Sequence, residues 1–159
     1  MQKYYLSRKG HQQLKQKRQT LVAEIERKRM QMGDSVRLDN DPRENPEFMQ
    51  LRVELTDVLP KRLYEIDRVL GSCRIIEEVI DFVENRVTIG CKVVIQYEDG
   101  LTIPYIILGY DETDIDNDVI SYLSPIAQGL LGKSPNDVLE IIVPSRKIKV
   151  KILSVERGI

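Results

Sequence analysis

The stretch Asp39-Asn40-Asp41-Pro42-Arg43-Glu44-Asn45-Pro46 decides the fold, because it breaks a helical pattern that runs on both sides of it. Asn and Asp favour turns and each proline removes a backbone donor, so no regular helix continues through and the chain must reverse here. On the N-terminal side, Ser7 to about Val36 contains no proline and is rich in Gln, Lys, Arg, Leu and Glu, all good helix formers. Ser7 is a suitable cap. Leu14, Leu21, Ile25, Met32 and Val36 form a narrow apolar stripe, of the width that one partner helix covers. A helix of about 30 residues at ~1.5 Å rise is ~45 Å long, more than a small domain is wide.

On the other side, from about Pro46 to Val79, Leu51, Leu55, Val58, Leu59, Leu63, Ile66, Val69, Leu70, Cys73 and Ile76 follow a 3.5-like repeat. Two such stripes joined by a turn predict an antiparallel coiled-coil hairpin. Pro60 lies inside the second stripe and predicts a kink or interruption there, since it lacks a donor and crowds the preceding turn. Cys73, on the stripe, reads as a small packed hydrophobe.

Beyond Asn85 the pattern becomes short β-rich runs: residues 91–97, 102–108, 119–123, 138–143 and 148–155. Glu98-Asp99-Gly100 and Asp116-Asn117-Asp118 read as turns. The last run alternates Ile148, Lys149, Val150, Lys151 and Ile152, which puts one face in a core and the other in water. A short helix near Pro125–Leu131 carries Ile126, Leu130 and Leu131 on one side. The expected class is α+β, with a helical hairpin over 1–80, its tip at about 39–47, and a compact sheet domain over 81–159.

The 159 residues are 42% hydrophobic and 31% charged, enough for a core plus long exposed helices. Two cysteines and one histidine, His11 in a polar run, exclude a disulfide scaffold, a zinc motif and most nucleophilic enzymes. His11 reads as a surface residue. No Gly-rich phosphate loop occurs, nor an apolar run of ~18 residues or a signal-peptide core. The expectation is a soluble cytoplasmic protein with no membrane partner and no small-molecule substrate.

The two halves carry opposite net charge, +3 over 1–80 and -4 over 81–159. From Lys3 to Arg37 ten basic residues face only Glu24, Glu26 and Asp34, whereas the tip holds Asp39, Asp41, Glu44 and Glu47 against Arg43. A charged helix face is commonly just a solvated one. The tip acids have three readings: a turn built from helix breakers, a docking knob for a basic partner, or oxygen ligands for a hard cation shared with another macromolecule, since magnesium often takes only one or two protein carboxylates.

The motif Asp41-Pro42-Arg43-Glu44-Asn45-Pro46-Glu47-Phe48 on a helical hairpin resembles the tip of the bacterial Gre transcript cleavage factors. Ser121-Tyr122-Leu123-Ser124-Pro125-Ile126-Ala127-Gln128-Gly129-Leu130-Leu131-Gly132-Lys133, followed by Asn136-Asp137, resembles that family's second signature, and Ile107 to Asp114 a third segment. The resemblance implies an N-terminal antiparallel coiled coil and a C-terminal domain like FK506-binding proteins. It implies a transcription elongation factor that docks on RNA polymerase at the secondary-channel rim and inserts its coiled coil. There it stimulates the polymerase's intrinsic cleavage of the 3′ end of backtracked RNA. By position, Asp41 and Glu44 are the tip acids that share a magnesium ion with the polymerase, Asn45 and Glu47 support the tip, and Ser124, Pro125, Ile126 and Ala127 belong to the docking surface. No intrinsic cofactor and no complete enzymatic site of its own are expected.

This tip departs from the family pattern at Asn40, Pro42, Arg43 and Pro46. Those departures define the alternative, a Gre-like channel regulator that inhibits or modulates transcription without stimulating cleavage. Prolyl isomerisation by analogy of fold is disfavoured by the lack of Trp and the few aromatics in the second half. A purely structural coiled-coil adaptor predicts that the tip acids are dispensable.

Overall fold

The computed structural model describes residues 3–38 and 42–159. Strand β1 (Tyr4–Leu6) leads into helix α1 (Arg8–Leu38). A 3-10 turn (Pro42–Glu44) precedes α2 (Pro46–Val53), a π-type turn (Glu54–Val58) and α3 (Leu59–Ser72). Strand β2 (Cys73–Ile75) and the single turn α4 (Ile76–Val79) come next. The remainder is β3 (Cys91–Tyr97), β4 (Thr102–Leu108), β5 (Val119–Ser121), α5 (Pro125–Leu130), β6 (Val138–Val143) and β7 (Arg146–Arg157). These elements form two compact units, Gln12–Ser72 and the combination of Met1–His11 with Cys73–Ile159.

In the helical unit the stripe read from sequence is the buried one: Leu14, Leu21 and Ile25 of α1, and Leu51, Leu59, Ile66 and Val69 of the returning segment, are each less than one-tenth exposed. Met32 is half-buried and Val36 exposed, so the stripe fades toward the tip. Arg18 Nε donates to Asp67 Oδ1 at 2.5 Å, Lys28 Nζ to Glu54, and Gln31 Nε2 to Glu47 Oε1 at 2.8 Å. As α1 advances its partners lie earlier in the chain, so the two segments run in opposite directions. The interruption expected at Pro60 takes the form of the π-type turn. Leu59 N–H donates to the Glu54 carbonyl, five residues back, which widens the helix just before the residue that cannot donate to the next carbonyl.

The second stripe does not continue as helix to Val79. Cys73 lies in β2, which pairs in parallel with β1 in the register Tyr4 to Cys73, Tyr5 to Arg74 and Leu6 to Ile75. Ile76 is buried in α4 rather than in the helical seam. The boundary therefore differs from the expected 80/81. Residues 73–80 and the first eleven residues group with the sheet, because strand pairing satisfies backbone groups that a longer α3 would have kept for itself.

The five expected runs are all strands, in the order β5-β4-β3-β7-β6, antiparallel except for the parallel β4–β5 pair. Cys91, Val93 and Ile95 of β3, Ile107 of β4, and Val150 and Ile152 of β7 alternate inward and are essentially inaccessible. Ala127 and Leu130 of α5 close this core. Each fully buried aliphatic side chain contributes about 1.5–3 kcal/mol. Cys91, central in the core, is a packed hydrophobe whose thiol pKa is pushed up by burial. No helix among the described residues is long and apolar enough to cross a membrane.

Candidate functional site

Asn45 sets the geometry of the tip. Its backbone is extended, as a residue before proline prefers, and its Oδ1 accepts from the N–H groups of Glu47 at 3.0 Å and Phe48 at 3.3 Å. Pro46 at the first helical position has no donor to waste. Glu47 lies in the first turn of α2, where its negative charge favours the helix dipole, and its carboxylate receives Gln31 of α1. Glu44 ends the 3-10 turn and is exposed, as is Arg43 beside it. Asp41, the other expected tip acid, lies outside the described residues. Among the described residues no cluster of three or more His, Cys, Asp or Glu side chains could hold a metal ion. The exposed carboxylate of Glu44 is a hard oxygen donor of the kind magnesium takes, and it could supply part of a coordination shell rather than a whole one.

The charge of the arms is less free than their composition suggests. Arg18 is bound to Asp67, which raises its guanidinium pKa further. Lys28 is bound to Glu54 and lies 3.8 Å from Glu24, and Arg29 is bound to Glu26 at 2.8 Å. Hydrogen bonds from Lys28 and then Gln50 hold the Glu54 carboxyl below its usual range. Periodicity places Arg18 and Lys28 on α1 but not Asp67 and Glu54, which come from the returning segment.

The second candidate region is the turn into α5. Ser124 caps this helix, its Oγ accepting from Ala127 N–H at 3.2 Å, and Pro125 occupies the first turn. Gln128 Nε2 donates to the Tyr122 carbonyl at 2.7 Å and braces the turn. Of the four expected docking residues, Pro125 is exposed, Ser124 and Ile126 are half-buried, and Ala127 is fully buried in the core. Leu123, 44% exposed beside Ser124, is an apolar surface group that motif reading passed over.

The third segment centres on Glu112. Its carboxylate accepts from Ser7 N–H at 2.8 Å, from Ser7 Oγ–H, and from Gly109 N–H at 2.9 Å. Ser7 Oγ in turn accepts from Gly10 N–H at 2.9 Å, which completes the cap of α1 expected from sequence. A Cβ at Gly10 or Gly109 would collide with the Glu112 side chain, so both positions need glycine for space. Nothing in spacing or composition pointed to this bond, which joins residues 105 apart.

Residues 83–157 match the family described as "Transcription elongation factor, GreA/GreB, C-term". The transcription elongation factor GreA of Haemophilus ducreyi is 34% identical over 133 residues, covering 81% of this chain and 84% of that one. The GreA of a Psychrobacter species is 33% identical over 157 residues, 98% of each chain. The chain belongs to the GreA/GreB family of transcription elongation factors. A looser likeness, TM-score 0.43 with 18% identity over 98% of this chain and 99% of the other, to GreA factor homolog 1 (Gfh1) of Thermus thermophilus, adds nothing to that assignment.

Proposed function

We propose that this protein binds RNA polymerase, enters its secondary channel with the α1 to α3 arm as an antiparallel coiled coil, and stimulates the polymerase's own cleavage of backtracked RNA. The observation that carries the reading is an exposed Glu44 on a turn braced by the Asn45 cap and the Gln31–Glu47 bond, in a chain related along its whole length to GreA proteins. Asp41 and Glu44 present carboxylates to the polymerase active centre, and the α5 corner of an FKBP-like sheet domain docks at the channel rim. The arm's remaining cations suit RNA phosphates or acidic channel walls.

A magnesium ion shared with the polymerase, when bound, supplies activation of water and relief of charge on the scissile phosphate. The protein's own residues position oxygen donors and bring no complete catalytic site, so it acts as a stimulating factor located in the cytoplasm with the polymerase. The test uses a purified cognate polymerase stalled in a backtracked complex with labelled RNA and magnesium. The parent protein is expected to shorten the RNA, and Asp41→Ala/Glu44→Ala to bind polymerase without doing so. A bound parent that leaves the RNA intact would sink this reading in favour of a channel-occupying regulator.

A further inference from the structure

We infer that the outward face of strands β6 and β7 is a second docking surface, fitted to an acidic protein surface of the polymerase that carries apolar groups; this rests on the function proposed above. Along β7, Val150 and Ile152 point into the core, so Lys147, Lys149 and Lys151 stand together on the opposite face, all exposed. Register sets Ile142 beside Lys147, Glu140 beside Lys149 and Val138 beside Lys151. Ile142 is 71% and Val138 56% exposed, large apolar groups held in water at the sheet's edge. Among the described residues Glu140 is the one carboxylate bonded to this row, 3.1 Å from Lys147. Glu98 and Asp99 of the β3–β4 turn border Lys147 and Lys149 and bound the patch at that end.

The chemistry selects the occupant. Alternate residues on a strand are ~6.8 Å apart, close to the ~6 Å between the Cβ atoms of acidic residues one turn apart on a helix. Apolar residues of the same partner would bury Ile142 and Val138. A nucleic-acid backbone would use the lysines but gain nothing from the two apolar groups, and no aromatic side chain stands in this row to stack a base. The α5 corner belongs to the other side of the sheet, where Gly129 packs against the core side chain of Ile141. The two surfaces are therefore separable by mutation.

The test measures binding of the full-length chain to cognate core polymerase free of nucleic acid, at low and high salt. Lys147→Glu/Lys149→Glu/Lys151→Glu is expected to raise Kd at least about tenfold at low salt, with the gap narrowing as salt screens it. Ile142→Ser should raise Kd about threefold. Should the reversal variant melt early, the triple Lys→Gln variant, which adds no repulsion, carries the same test. At saturating protein, RNA cleavage by these variants should match the parent. Unchanged Kd in the well-folded variants overturns the inference, as does a loss confined to binding of free RNA or duplex DNA. If the parent leaves backtracked RNA intact while the lysine variants lose polymerase, the cleavage reading fails and this surface stands.

Discussion

Gln31 Nε2 lies 2.8 Å from Glu47 Oε1, so the last part of α1 is bonded to the first turn of α2 immediately behind the turn that carries Glu44. Both side chains are exposed, and an exposed hydrogen bond of this kind contributes about 0.5–1.5 kcal/mol. Its consequence for the tip lies in positioning. Glu47→Ala and Gln31→Ala are each expected to leave the melting temperature within a few degrees of the parent. Both should slow RNA cleavage several-fold at saturating protein, with the double variant no slower than the worse single one. A double-mutant cycle on the cleavage rate checks this, and strict additivity would show that the two residues do not act through one bond.

The Glu112 carboxylate is bonded to three donors, two from the distant Ser7 and one from Gly109 three residues before it. Glu112→Ala strands partly buried N–H groups of Ser7 and Gly109 and should cost about 1–3 kcal/mol in urea denaturation. Glu112→Gln keeps one acceptor oxygen and should recover part of the loss. Gly109→Ala should destabilise as well, because a Cβ there meets Glu112 and the backbone of Tyr5 and Leu6.

Stability should also register the Lys28–Glu54 pair through pH. The folded-state pKa of Glu54 is lowered from its ordinary 4.5, chiefly by hydrogen bonding from Lys28, so the folded protein holds the charged form more firmly than the unfolded chain does. That contribution is fully present above about pH 4.5 and is lost as pH falls through the lower folded value. The stability gap between the parent and Glu54→Gln should be constant around neutral pH and shrink on acidification. Denaturant melts of both proteins at neutral and acid pH measure it, and a gap that widens in acid contradicts the assignment.

At the α5 corner, the docking surface proposed above, exposure separates a docking role from a folding one. Leu123→Ser should weaken polymerase binding while leaving the circular dichroism melt close to the parent's. Ala127→Asp places a charge where the side chain is inaccessible and should unfold the sheet unit. Equal loss of binding with intact folding in both variants would mean that Ala127 is not a core residue.

Much of this architecture is local and legible in the sequence. The Ser7 cap, the antiparallel return of the chain after α1, the interruption before Pro60, the five strands and the α5 helix each follow from propensity, periodicity or the missing proline donor. These effects act within a turn or two, so a few consecutive residues determine them. Tertiary structure alone decided the rest. Cys73 and Ile76 continue the helical stripe faultlessly, yet residues 73–75 leave the helix because Tyr4–Leu6, some seventy positions earlier, offers a strand to pair with. Three-residue strands carry no period to detect. Separations of 105, 49 and 26 residues likewise hid the Glu112–Ser7 bond and the neutralisation of Arg18 by Asp67 and of Lys28 by Glu54, and the packing of the sheet unit hid the burial of Ala127. Side-chain pairing across long separations depends on where the chain returns, which only the folded backbone decides.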